Sequence, residues 1–148
     1  MSLDGNYDPD NIFAKILRGE MPCVQVYEDT HTLGFMDVFP QSRGHMLVIH
    51  KTAKARNLLD VDADDLAHIM TSVQKLACAA KVALNPDGII ITQFSGAPAG
   101  QTVFHLHVHI IPKYEDDLKA HAMKSEKGGG MADMDELQSL AEQIMAEL

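Results

Sequence analysis

Phe104-His105-Leu106-His107-Val108-His109-Ile110-Ile111 carries a histidine at every second position of an otherwise apolar run. Side chains alternate between the two faces of a β-strand. An extended backbone here therefore puts His105, His107 and His109 on one face. Phe104, Leu106, Val108 and Ile110 fall on the other, where a core can bury them. Just upstream, Ser95-Gly96-Ala97-Pro98-Ala99-Gly100-Gln101 is a turn of small residues that lets a ligand come close to the backbone.

Outward from this strand, the chain divides into clear strands and helices. Asn11 caps a short helix from Ile12 to Arg18, stopped by Gly19, and Met21-Pro22 breaks the chain. Val24 to Glu28 alternates as a half-buried strand and turns through Asp29-Thr30-His31 into a partner strand, Thr32 to Asp37. Phe39 to Gly44 is a loop, and the apolar run His45 to His50 has the composition of a central strand. Asp62 opens a long helix, with Asp64 and Asp65 in its first turn, where they suit the helix dipole. Leu66, Ile69, Met70, Val73, Ala77, Ala80 and Leu84 form its apolar face, with Cys78 expected to be buried and inert beside it. Asn85-Pro86-Asp87-Gly88 ends the helix, and Gly88 to Gln93 is the next strand. Glu115 to Gly130 is polar, then glycine-rich, and reads as a mobile connection. Asp133 and Glu136 make a capping-box pattern. Leu137, Leu140, Ala141, Ile144 and Leu148 stripe a C-terminal helix. Strands in groups, without strict strand–helix alternation, predict an α+β fold with an antiparallel sheet.

The whole chain narrows the function. Its 148 residues suit one domain, and 46% hydrophobic with 22% charged residues is ordinary for a globular protein. A net charge of −9 argues against a nucleic-acid partner held by a basic surface, though not against a small anion held locally. No apolar run approaches a membrane span, no secretion signal is visible, and the two cysteines make no disulfide framework. A cytoplasmic protein with no membrane partner is the expectation.

Three histidines on one strand face admit three readings. Burying them as plain core would require partners for every ring nitrogen. Alternate histidines on a strand can hold zinc, but neither Cys23 nor Cys78 belongs to a Cys-x-x-Cys pair. Imidazoles that titrate near neutrality can also surround a phosphate, and a neutral one is a nucleophile towards phosphorus.

His105-Leu106-His107-Val108-His109-Ile110-Ile111 resembles the signature of the histidine-triad (HIT) family, His-φ-His-φ-His-φ-φ with φ apolar. Ala99-Gly100-Gln101-Thr102-Val103-Phe104 before it and Pro112 after it continue the match. So do Ile12-Phe13, Lys15-Ile16, Gly19-Glu20 and Pro22, then Phe35 to Gln41 and Gly44 to Ile49. The resemblance covers residues 10–115, with residues 1–9 as an N-terminal tail and 116–148 as a C-terminal linker and helix. It implies a five-stranded antiparallel sheet with a long helix, a short N-terminal helix and a homodimer. It also implies cleavage at the α-phosphate of purine nucleotide derivatives, adenosine phosphoramidates or dinucleoside polyphosphates, through a nucleotidyl-histidine and without a cofactor. By the same resemblance His107 is the nucleophile and His105 supports its ring. His109 and His45 contact phosphate oxygens or the leaving group. Gln101, Thr102, Val103 and Ser95 belong to the phosphate side. Asp37 binds the ribose, and Phe13, Ile16, Phe35 and Val38 line the base pocket. The alternative is a nucleotide-binding regulatory module without turnover.

The departures are specific. Many relatives carry Cys-x-x-Cys in the opening helix and a further histidine after the central strand, which help bind a structural zinc; here Asn11, Ala14 and Ala53 stand at those positions. His50 replaces the usual proline and Lys113 a frequent arginine. Phe94-Ser95-Gly96 replaces Asn-Asn-Gly, which removes a phosphate-side amide.

Overall fold

The computed structural model describes residues 2–116 and 130–148. Most of the expected mobile connection, residues 117–129, lies outside them. One five-stranded antiparallel sheet organises the chain: β1 (Gln25–Glu28), β2 (Thr32–Met36), β3 (Met46–His50), β4 (Gly88–Thr92) and β5 (His107–Lys113), in the order β1-β2-β3-β5-β4. The helices are α1 (Ile12–Leu17), α2 (Ala63–Leu84) and α3 (Met134–Met145), with a 3₁₀ turn over Ala97–Ala99. No helix among the described residues is long and apolar enough to cross a membrane.

Strand parity divides the sheet into two chemically distinct faces. Val26, Met36, Met46, Val48, Val108 and Ile110 face α2 and α3, in the main core with Ile69, Leu76, Leu137 and Ile144. Leu33, Phe35, Leu47 and Ile49 face the other way, under Phe13 of α1. His107 and His109 share that second face by the alternation of β5.

Local signals hold the ends in place. The Asn11 side chain accepts the Ala14 N–H at 2.9 Å, and Gly19 follows the helix at φ +77. Asn85 ends α2 in the left-handed region at φ 48. Gly44, at φ +91, feeds β3; a Cβ there would lie 2.4 Å from Leu84 Cδ1. The Asp133 side chain caps α3 through the Asp135 N–H.

Five expectations need correction. The histidine strand begins at His107, not Phe104. The β3–β5 ladder ends at the Ile49–His107 pair, and the Leu106 N–H turns to the Ala55 carbonyl instead. Phe104, rather than entering the core, carries the Arg56 guanidinium 4.7 Å above its ring. The buried face of α2 is rotated: Ser72, Leu76 and Ala79 are inside, while Met70 is exposed. Ser72 belongs there because its hydroxyl meets Thr32 Oγ1 at 2.6 Å. Cys78 is exposed by the same rotation. Leu148 lies beyond the packed turns of α3 and is exposed.

Candidate active site

The histidines of β5 meet His45, which stands at the entry to β3, across the shared sheet face. Leu47 pairs with His109 in register, so His45, two residues earlier, reaches back along the same face. His45 Nε2 lies 2.9 Å from His109 Nδ1 and 3.4 Å from an Asp37 carboxylate oxygen. The Asp37 N–H is bonded to the His45 carbonyl, and its other carboxylate oxygen accepts the Phe39 N–H.

Hydrogen-bond partners assign the ring tautomers. The Gln41 backbone N–H donates to His45 Nδ1 at 3.0 Å. A neutral His45 therefore carries its proton on Nε2 and donates it to His109 Nδ1. His109 in turn carries its proton on Nε2. His107 is set the opposite way: its Nδ1–H donates to the His105 carbonyl at 2.7 Å, which leaves Nε2 as an unprotonated lone pair. One ring thus offers a base or nucleophile and its neighbour offers a proton, with centroids 5.0 Å apart.

Burial holds these rings neutral. It pushes His45 down to about 3, assisted by His109, Lys113 and His107. It pushes His105 and His109 down to about 4, each with help from His107. It also lowers His107, against the opposing bond to the His105 carbonyl. Burial raises the Asp37 carboxyl, against the Phe39 N–H.

These shifts carry a stability consequence. An unfolded histidine titrates near 6.5. Between that value and about 4 the unfolded chain binds protons that the folded chain refuses. Stability therefore rises with pH across this window and is lost as pH falls below ~6.5. Urea unfolding at pH 7 and pH 5 should differ by on the order of 3 kcal/mol. Equal midpoints at the two pH values would contradict the neutral assignment.

His107 and His109 open into a cavity of about 530 Å³, a size suited to a small-molecule ligand. Phe13, Ile16, Phe35, Asp37, Val38, Thr102 and Val103 line it, so these expected residues are brought together. Phe13 stands edge-on to His107, with centroids 4.9 Å apart. His45 lies behind His109 and reaches the cavity only through it. Gln101 and Ser95 are not brought in. The Gln101 amide is occupied: its oxygen accepts the Gly96 N–H, and its nitrogen donates to the carbonyls of Arg56 and Val103. Ser95 turns to the Gln93 side chain. Its hydroxyl thus holds the loop instead of facing the cavity.

Several lining residues carry no local signal in the sequence. Phe94 flanks His109, with centroids 5.2 Å apart. Met131 and Met134 close the cavity from the start of α3, tied down by the Ala132 N–H to the Val38 carbonyl.

The metal readings can be tested against the donor atoms. His105 turns away from the cavity, so the three strand histidines do not converge. Two sets of ligating atoms do cluster among the described residues: Asp37, His45 and His109, and His31, His50 and His68. In the first, the His45 Nε2 proton sits between the other two groups. In the second, His50 Nδ1 accepts the N–H groups of Thr52 and Ala53, so its Nε2 keeps a proton, 3.2 Å from Asp65. His31 and His68 stack face to face at 3.7 Å. Neither set presents three free lone pairs. The structural zinc of some relatives does not fit either. Asn11 spends its side-chain oxygen on the α1 cap, and Ala14 and Ala53 offer only methyl groups.

Comparison with known proteins agrees with this geometry. The family model described as HIT domain matches residues 18–116. An uncharacterized HIT-like protein of Methanocaldococcus jannaschii is 42% identical over 106 residues, 72% of this chain and 81% of the relative. An adenosine 5'-monophosphoramidase of Schizosaccharomyces pombe is 38% identical over 108 residues, 72% of this chain and 76% of that protein. The crystal structure of a Hit-like protein from Bartonella henselae, described as involved in cell-cycle regulation and solved with an unknown ligand, superposes with a TM-score of 0.86. It is 43% identical and covers 97% of this chain and 100% of its own.

Proposed function

The chain belongs to the HIT domain family, and on that premise we propose that it hydrolyses purine nucleotide derivatives at the α-phosphate through a nucleotidyl-histidine at His107. The observation that carries this reading is the pair of opposed tautomers: an unprotonated Nε2 on His107 beside a protonated Nε2 on His109. His107 Nε2 attacks the α-phosphorus, and the bond to the leaving group breaks. Binding of the anionic phosphate brings a second proton onto His109, which gives a proton to that group, an amine in the phosphoramidate case, and returns to the neutral ring. Water, losing a proton to His109, then cleaves the phosphorus–nitrogen bond to His107, releasing AMP and restoring both rings. Thr102 and the loop ending at Gly100 face the phosphate oxygens, and Asp37 takes the ribose hydroxyls. Phe13, Ile16, Phe35 and Val38 take the base, with Met131 and Met134 against its outer edge.

The phosphoramidate branch is favoured by the similarity to the fission-yeast monophosphoramidase. Dimerisation through β4 and α2 accords with an open edge strand that exposes Ile90 and Ile91 and with Val82 of α2, which is 65% exposed.

The test is incubation with adenosine 5′-phosphoramidate and with diadenosine polyphosphates, with and without chelator, following AMP by chromatography. Chelator-resistant AMP release is expected, fastest from the phosphoramidate. AMP binding without turnover on either substrate would replace hydrolysis with the regulatory-module reading. Release lost on chelation would overturn the metal-free mechanism.

A further inference from the structure

The nucleophile's tautomer depends on one carbonyl, that of His105, and His105 lies just before β5, outside the ladder that fixes His107 and His109. The Leu106 N–H of the same peptide bonds to the Ala55 carbonyl, and the His105 side chain gives this segment a second hold. Its ring is 2% exposed, and it faces away from the cavity into a separate cleft shared with Tyr7, Ala14, Thr52 and Ala53. The Tyr7 hydroxyl lies 2.7 Å from His105 Nδ1, and the two rings are 5.7 Å apart. The His50 backbone favours the protonated ring, as a carbonyl does when an imidazole N–H donates to it, and with Nδ1 taken by Tyr7 that N–H is assigned to Nε2. His105 is thus a neutral ring with its proton on Nε2, and the Tyr7 O–H donates to Nδ1.

Tyr7 belongs to an N-terminal segment that is itself anchored. Arg56 donates to the Asn6 carbonyl at 3.2 Å while its guanidinium covers Phe104, the residue preceding His105. Both sides of His105 are therefore gripped by the same strap. Ala14 and Ala53, which line this cleft, supply no polar atom to His105.

We propose that Tyr7 is a positioning residue for the reaction, locking the His105 ring so that its carbonyl holds His107 in the nucleophilic tautomer. This rests on the assignment of His107 as nucleophile, so the test needs a readout that does not depend on turnover.

Tyr7→Phe keeps the ring and removes only the donor. We expect kcat for AMP release from adenosine 5′-phosphoramidate to fall by about fivefold to tenfold, with KM unchanged within about twofold. General loosening of the cavity would instead raise KM. ¹⁵N imidazole spectra should show the His107 Nδ1–H exchanging with water at least about threefold faster in the variant. An unchanged exchange rate overturns the proposal whatever the turnover, as does a kcat within about twofold of the unsubstituted protein. If the unsubstituted protein turns over no substrate, the hydrolase reading fails and exchange alone decides the role of Tyr7. If Tyr7→Phe does not fold, the unsubstituted protein's spectrum decides: a His105 ring protonated on Nδ1 at pH 7 overturns the proposal.

Discussion

His107→Ala should lower AMP release from adenosine 5′-phosphoramidate by at least about 10⁴-fold while AMP affinity stays within a few-fold. The size of the loss follows from the absence of a substitute. His109 is the nearest imidazole, but its Nδ1 accepts the His45 proton and its Nε2 carries its own. His105 has both nitrogens engaged and faces a different cleft. No other imidazole lines the cavity among the described residues. Binding should survive because the aliphatic and aromatic lining of the cavity keeps all of its own side chains. Acid-quenched turnover should trap a protein–AMP adduct in the unsubstituted chain and none in the variant. An active His107→Ala protein would remove His107 as the nucleophile and with it the covalent mechanism.

A smaller-than-expected effect would also be informative. The His107 ring is 7% exposed and packs edge-on against Phe13, so its removal leaves a cavity in a crowded layer. Melting temperature therefore has to be measured beside turnover. A fall of a few degrees accounts for part of the stability ledger but for none of a 10⁴-fold rate loss at a temperature where the variant remains folded.

Much of this was legible because alternation is a local property. Three histidines spaced by two, with apolar residues between them, dictate a two-faced segment wherever the backbone is extended, and β3, β5 and both flanking layers follow that parity. The caps were equally local: Asn11, Gly19, Asn85 and Asp133 each act within one turn of their own position. What the sequence concealed is set by long-range geometry. The start of β5 depends on where the Leu106 N–H finds a carbonyl, and the winner is Ala55, fifty-one positions away. Gln101 carries the right chemistry to bind phosphate, yet its amide is consumed by loop carbonyls that only the fold brings near. Met131 and Met134 reach the cavity because α3 packs on α2 and β1, which no periodicity within α3 specifies. Cys78 illustrates a different limit. A rotation of α2 about its axis leaves the helical spacing intact and changes which residues are buried, and the polar Ser72–Thr32 contact decides it.

His109→Ala should separate proton delivery from nucleophilic attack, because its cost depends on the leaving group. An amine expelled from phosphorus must acquire a proton as the bond breaks, whereas a nitrophenolate leaves without one. We expect a loss of about 10²–10³-fold on adenosine 5′-phosphoramidate and under about tenfold on a p-nitrophenyl ester of AMP. His45→Ala should show the same pattern more weakly. His45 never touches the leaving group in this geometry, since it acts by donating to His109 Nδ1 and so keeping the proton on the far nitrogen. Without it His109 can place its proton on either nitrogen, and only a fraction of molecules are armed. The loss on the phosphoramidate should then be about tenfold, the share expected of a group that selects a tautomer without transferring the proton itself. Asp37 lies 3.4 Å from the same His45 nitrogen and competes for its proton, so Asp37→Asn in an otherwise intact chain should strengthen the His45–His109 bond. Equal losses on both substrates in His109→Ala would assign that ring to phosphate binding and remove it as the acid. The relay from the Gln41 N–H through His45 would then organise an anion site.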